Sequence, residues 1–128
     1  MAGERILIVD DNAINLKLVA YLMKANGYTV MTALDAESAI EAIRANHPDV
    51  ILMDIQLPGI DGLELTRRLK ADPKTRDIVI VAVTAYAMKG DQAKALAAGC
   101  DDYITKPIDT RTLPETIAKH LAKREGLS

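Results

Sequence analysis

The chain has 128 residues, 49% hydrophobic and 27% charged, enough apolar material for one packed domain and too much for a disordered segment. Sixteen Lys and Arg stand against 18 Asp and Glu, a net charge of −2, which excludes a protein held to nucleic acid by many phosphate contacts. The one cysteine, Cys100, has no internal partner, the N-terminus lacks an apolar leader, and the longest apolar run, residues 78–83, is too short to span a membrane, so a cytoplasmic protein is expected.

In chain order, residues 5–9 form a short apolar run ending in Asp10-Asp11-Asn12, which predicts a first strand and a polar turn. Apolar residues then recur at helical spacing over residues 13–26, with Leu18, Val19, Leu22 and Met23 as examples and Gly27 as the stop. The inward set is read as Asn15, Leu18, Val19 and Leu22, which leaves Ala13, Leu16 and Ala20 as an outward apolar stripe suited to a docking partner. Residues 28–33 alternate as a second strand. Asp35 caps a helix reaching about residue 46, with Ala36, Ala39, Ile40 and Ile43 inward, and His47-Pro48 ends it.

Val50-Ile51-Leu52-Met53 reads as a strand buried on both faces, and it delivers Asp54 where the backbone leaves the sheet. Pro58-Gly59 supplies turn chemistry and Asp61 a cap for a third helix over residues 62–71. Residues 78–83 are the most β-branched run and end in Thr84-Ala85. A short Ala-rich helix over residues 88–98 stops at Gly99. Residues 102–105 form the fifth strand, ending in Lys106-Pro107, and a last helix covers residues 110–123, with Leu113, Ile117 and Leu121 on one face and Pro114 in its first turn.

Strands and helices that alternate at this spacing predict βαβ units, hence an α/β protein with a parallel sheet between two helical layers. Five strands fit the flavodoxin-like doubly wound order 2-1-3-4-5, in which ligands bind outside the carboxyl ends of strands one and three. The acidic tips Asp10-Asp11 and Asp54 then meet, with Thr84 and Lys106 arriving at the same edge. Each of these residues alone has an ordinary explanation as a cap, a strand end or a surface cation. Together they form a site. Crowded carboxylates repel unless a hard divalent cation such as Mg²⁺ is shared, and a hydroxyl and an ammonium beside them suit phosphoryl transfer.

Asp10-Asp11 after the first strand, Asp54 after the third, Thr84-Ala85 after the fourth and Lys106-Pro107 after the fifth resemble a bacterial two-component response-regulator receiver domain. The resemblance spans essentially the whole chain. Within that family, Asp-Asp-Asn-x-x-Asn at residues 10–15, Met-Asp-Ile-Gln-Leu-Pro around Asp54 and Ala-Met-Lys-Gly-Asp at residues 87–91 resemble the stand-alone cell-division regulators.

The resemblance implies a single receiver domain over residues 1–128 with no effector domain, acting as a monomeric switch rather than a turnover enzyme. It implies that Asp54 accepts a phosphoryl group from a phosphohistidine on a sensor histidine kinase or phosphotransfer protein. Asp11 and Asp54 would ligate Mg²⁺, or Mn²⁺ as its substitute, with the backbone carbonyl of Gln56 and with Asp10 through water. Lys106, the Thr84 hydroxyl and the Ala85 N–H would hold the phosphoryl oxygens, and the Lys106-Pro107 bond would be cis. Thr84 and Tyr103 would relay the change to a downstream protein partner, and Tyr86 with Gln56 would set the acyl-phosphate lifetime. Ala13, Leu16 and Ala20 would meet the phosphodonor. The competing readings are an Asp-nucleophile phosphatase, which wants a second acid where Gln56 stands, a nucleotide or flavin carrier, and a phosphorylation-independent scaffold.

Overall fold

A computed structural model describes residues 3–57, 62–84, 90–106 and 108–124. In chain order it contains β1 (Arg5–Val9), α1 (Ala13–Ala25), β2 (Thr29–Ala33), α2 (Ala36–Ala45), β3 (Val50–Asp54), α3 (Gly62–Ala71), β4 (Val79–Thr84), α4 (Asp91–Ala98), β5 (Asp102–Thr105) and α5 (Leu113–Arg124). The five strands pair in the order β2-β1-β3-β4-β5, all parallel, as the alternation predicts. Successive side chains on a strand point to opposite faces, so each apolar run feeds two cores. Leu7, Val9, Ile51, Met53 and Ile80 pack against α2, α3 and α4. Ile6, Ile8, Val50, Leu52 and Val81 pack against α1 and α5, where Leu113, Ile117 and Leu121 form the expected inward face.

Register brings the strand tips together. Val9 pairs with Met53, so the next residue on each strand, Asp10 and Asp54, lies at one level of neighbouring strands. Asp54 pairs with Val83, and Thr84 pairs with Thr105, one residue before Lys106. Local chemistry sets the helix ends. Asp35 and Ser38 close a reciprocal capping box on α2. Gly27, at φ 90°, ends α1 while its N–H and that of Tyr28 satisfy the carbonyls of Lys24 and Met23. The last helix starts at Leu113, later than its apolar spacing suggests, because the Asp109 carboxylate and carbonyl hold Arg111, Thr112 and Leu113 in a turn. The expected turn at Pro58-Gly59, the Asp61 cap and the residue 88 start of α4 lie outside the described residues.

The inward face of α1 corrects the sequence reading. Leu16 and Ala20 are each only 8% exposed and pack with Val19 and Met23 against the sheet, while Leu18 turns outward. Of the expected outward stripe only Ala13 is exposed. Apolar residues wind around most of this helix, so spacing alone offers two stripes. The strand-to-helix turn chooses between them: the Asn12 side chain accepts the N–H groups of Ile14 and Asn15 and fixes the rotation at which α1 leaves it. The outward stripe is instead Ile14, Leu18 and Tyr21, at 82%, 54% and 75% exposure.

Candidate functional site

The sheet's carboxyl edge gathers the charged groups expected there. Asp10 and Asp54 are only 2% and 3% exposed, so each must be paired or hydrogen-bonded to remain charged. Asp10 Oδ1 accepts the Asn12 N–H at 2.9 Å, and its Oδ2 accepts the Asn15 side-chain amide. Asp54 Oδ1 accepts the Gln56 N–H at 2.9 Å. Lys106 Nζ bridges the two, 3.2 Å from Asp10 Oδ2 and 3.2 Å from Asp54 Oδ2. Its own N–H donates to the Thr84 carbonyl at 2.7 Å, which ties the end of β5 to the end of β4. Thr84 is fully buried.

Burial pushes the Asp54 carboxyl up; the Gln56 N–H and the Lys106 ammonium pull it back, Asp10 raises it further, and the balance stays above the ordinary 3.8. For Lys106 burial alone would lower the value, but the bonds and charges of Asp10 and Asp54 outweigh it and hold the ammonium above its ordinary 10.5. Its stabilising charge is therefore present throughout the neutral range and is lost only as the pH rises through that raised value.

Asp11 lies exposed at the mouth, yet oxygens of Asp10, Asp11 and Asp54 come within 4.8 Å of one another. Three carboxylates against one ammonium leave a formal surplus of two negative charges (−3 + 1 = −2), and all the side-chain donors are hard oxygens. Such a set fits Mg²⁺ better than a softer metal. Gln56 follows at the rim with its side chain exposed. Tyr103 is half-buried on β5 and packs against the core beneath α2, α3 and α4. Ala85, Tyr86 and Pro107 lie outside the described residues.

Two participants escaped the sequence reading. Asn15 was taken as an inward residue of α1 and as the last residue of the Asp-Asp-Asn-x-x-Asn motif, with no role of its own, whereas its amide orients Asp10. Gly62 was taken only as a helix start, yet a Cβ there would sit 2.3 Å from the Asp54 carbonyl oxygen and 2.7 Å from the Ile55 Cα. The obstacle is backbone, so it cannot swing aside. Gly62→Ala is expected to destabilise the protein by about 1–3 kcal/mol, because α3 must lift away from the tip of β3. Urea unfolding checks the effect; an unchanged midpoint would show that the contact is soft.

A profile of the response regulator receiver domain matches residues 6–118. The chain is 46% identical to the polar-differentiation response regulator DivK of Brucella ovis over 116 residues, 91% of this chain and 94% of that protein. Among solved structures it is similar to a CheY-like receiver domain protein from Methanospirillum hungatei, with a TM-score of 0.90, 31% identity and coverage of 99% and 100% of the two chains. It is also similar to the receiver domain of the sensor histidine kinase PA1611 from Pseudomonas aeruginosa, which holds a magnesium ion in its active-site cleft. There the TM-score is 0.83, the identity 35%, and the coverage 92% of this chain and 97% of that one.

Proposed function

The chain belongs to the response regulator receiver domain family, and from that premise we propose that it accepts a phosphoryl group from a phosphohistidine onto Asp54 and thereby alters a protein-binding surface. The observation that carries this reading is the Lys106 ammonium held 3.2 Å from each of two buried carboxylates at the open end of the sheet. An Asp54 oxygen forms the new P–O bond as the donor's P–N bond breaks, and the electron pair returns to the imidazole nitrogen. Lys106 neutralises charge on the transferring group, and Thr84 stands buried on the next strand to offer its hydroxyl. Asp10, Asp11, Asp54 and the Gln56 carbonyl would hold Mg²⁺, which supplies charge neutralisation for the incoming phosphoryl oxygens. The reaction leaves the protein as its own product, so it works as a switch rather than a turnover enzyme.

The test is incubation with acetyl phosphate and Mg²⁺ followed by intact mass. Native protein is expected to gain one phosphoryl group and Asp54→Asn none. Equal gain by both would place the modification elsewhere and end the proposal.

The switch reading follows from the same edge. A phosphoryl group on Asp54 adds charge and acceptor oxygens next to Thr84, and a shift of Thr84 toward them opens room for Tyr103 to turn inward. A downstream protein that prefers one arrangement reads the change. Likeness to a polar-differentiation regulator supports a role in cell-division control.

The donor is a histidine kinase or phosphotransfer protein, and its docking surface is the exposed Ile14, Leu18 and Tyr21 stripe of α1, which starts beside the acidic site. Leu18→Asp is expected to slow transfer from a phosphorylated partner at least tenfold, as loss of an interface anchor does, while sparing modification by acetyl phosphate. Equal losses with both donors would remove the stripe from the docking surface. The same change at Leu16 would instead place a charge in the core.

A further inference from the structure

Asp10 leaves β1 with both carboxylate oxygens engaged. Its Oδ1 accepts the Asn12 N–H at 2.9 Å, and its Oδ2 accepts both the Asn15 side-chain amide and, at 3.2 Å, the Lys106 ammonium. An ionised carboxylate only accepts, so Asn15 presents its NH₂ group and the orientation of that amide is settled. Such a carboxylate offers about four lone-pair sites. Three are taken by these donors, which leaves one, on Oδ1, among the described residues. The two side-chain donors differ in stiffness. Lys106 stands on a flexible stem and is shared with Asp54 at the same 3.2 Å. Asn15 is a short side chain on the first turn of α1, so it is the firmer restraint. Asp10 is only 2% exposed, and water is poorly placed to replace that amide.

The helix itself does not need this side chain. Asn12 caps α1 by accepting the N–H groups of Ile14 and Asn15 at 3.0 and 3.1 Å, so only the backbone of Asn15 serves the cap. Helix propensity does not explain an asparagine there either, since alanine or leucine is the better helix former. Asparagine near a helix start commonly bonds neighbouring backbone groups. Here it reaches back five residues to a carboxylate at a strand tip. That carboxylate belongs to a cluster in which oxygens of Asp10, Asp11 and Asp54 lie within 4.8 Å of one another, so a small rotation of Asp10 changes the set of oxygens a cation would meet.

We propose that Asn15 is a positioning residue, whose amide holds Asp10 in the orientation at which the Asp10, Asp11 and Asp54 cluster takes Mg²⁺. The role presupposes that these carboxylates hold Mg²⁺, as proposed for this chain. Its test is calorimetric titration of Mg²⁺ into unphosphorylated protein, at a temperature where every variant is folded, so a purely stabilising amide would leave the affinity unchanged. Asn15→Leu keeps roughly the size of the side chain and removes the donor. It is expected to weaken Mg²⁺ about 10–100-fold, as loss of a hydrogen bond behind a metal ligand does. Asn15→Gln retains an amide and should lose less than Asn15→Leu. In an Asp10→Ala background Asn15→Leu should change the affinity by about twofold at most, because the amide acts through that carboxylate. With acetyl phosphate as donor, the Asn15→Leu defect should appear as a higher Mg²⁺ requirement, with most of the rate recovered at saturating Mg²⁺. Native protein that fails to bind Mg²⁺ would end the metal reading and this role together. Native binding with an unchanged Asn15→Leu, or equal losses in the native and Asp10→Ala backgrounds, would overturn the role of Asn15 alone and leave the metal reading standing.

Discussion

Replacing Lys106 by Met is expected to destabilise the metal-free protein by about 2–4 kcal/mol and to slow its phosphorylation by acetyl phosphate about 10²–10³-fold. The Met keeps most of the apolar stem, so the change is mainly one of charge. Asp10 and Asp54 would remain buried side by side with no cation between them. Removing one partner of a buried pair costs about 3–5 kcal/mol, and the 21% exposure of the Lys106 side chain reduces that figure by letting water reach the gap. The kinetic loss has a separate origin. An ammonium already fixed at the open end of the sheet needs no reorganisation as charge moves onto the transferring group, and the thioether supplies nothing in its place.

Mg²⁺ distinguishes these two effects. Without Lys106 the site carries three negative charges rather than a surplus of two, so the ion should bind more tightly and recover much of the lost stability without restoring the rate. Urea unfolding with and without MgCl₂, beside intact-mass time courses, measures both. The double variant Lys106→Met/Asp54→Asn should be more stable than Lys106→Met, because only Asp10 is then left without its cation. A Lys106→Met protein as stable and as fast as native would mean that the 3.2 Å contacts contribute nothing.

Much of this site was legible from residue type and order. Strands buried on both faces read as apolar, β-branched runs, so the polar residue that ends each one marks the sheet edge. Chain-crossing rules then fix which tips are neighbours, and Val9 opposite Met53 is that expectation in atomic form. The rotation of α1 was not legible, because Ile14, Leu16, Leu18, Val19 and Ala20 give nearly equal hydrophobic stripes and only the Asn12 cap separates them. Gly62 was hidden for another reason. A glycine in a helix's first turn looks dispensable until the 2.3 Å approach to the Asp54 carbonyl is known.

Asp54→Asn, besides losing the proposed phosphoacceptor, is expected to raise the stability of the metal-free protein by about 1–3 kcal/mol, the range associated with relieving a buried, poorly solvated charge. Lys106 is not stranded by the change, since Asp10 Oδ2 remains 3.2 Å away. The sign follows from linkage. Burial raises the Asp54 carboxyl above 3.8, so the folded protein binds that proton more tightly than the unfolded chain does. The stability Asp54 allows is fully present below about 3.8 and is lost as the pH climbs through the raised value. The variant should therefore match native protein in acid and surpass it toward neutrality, with the carboxylates outside the Lys106 bridge cancelling in the difference. Mg²⁺ should reverse the order. At a hundredfold excess over its dissociation constant a ligand adds about 2.7 kcal/mol, and a site without the Asp54 oxygen should gain much less. Melting curves across pH, with and without MgCl₂, decide the matter: a variant less stable than native protein in the absence of metal would mean that Asp54 is held in place by its bonds to Gln56 and Lys106 more strongly than burial opposes it.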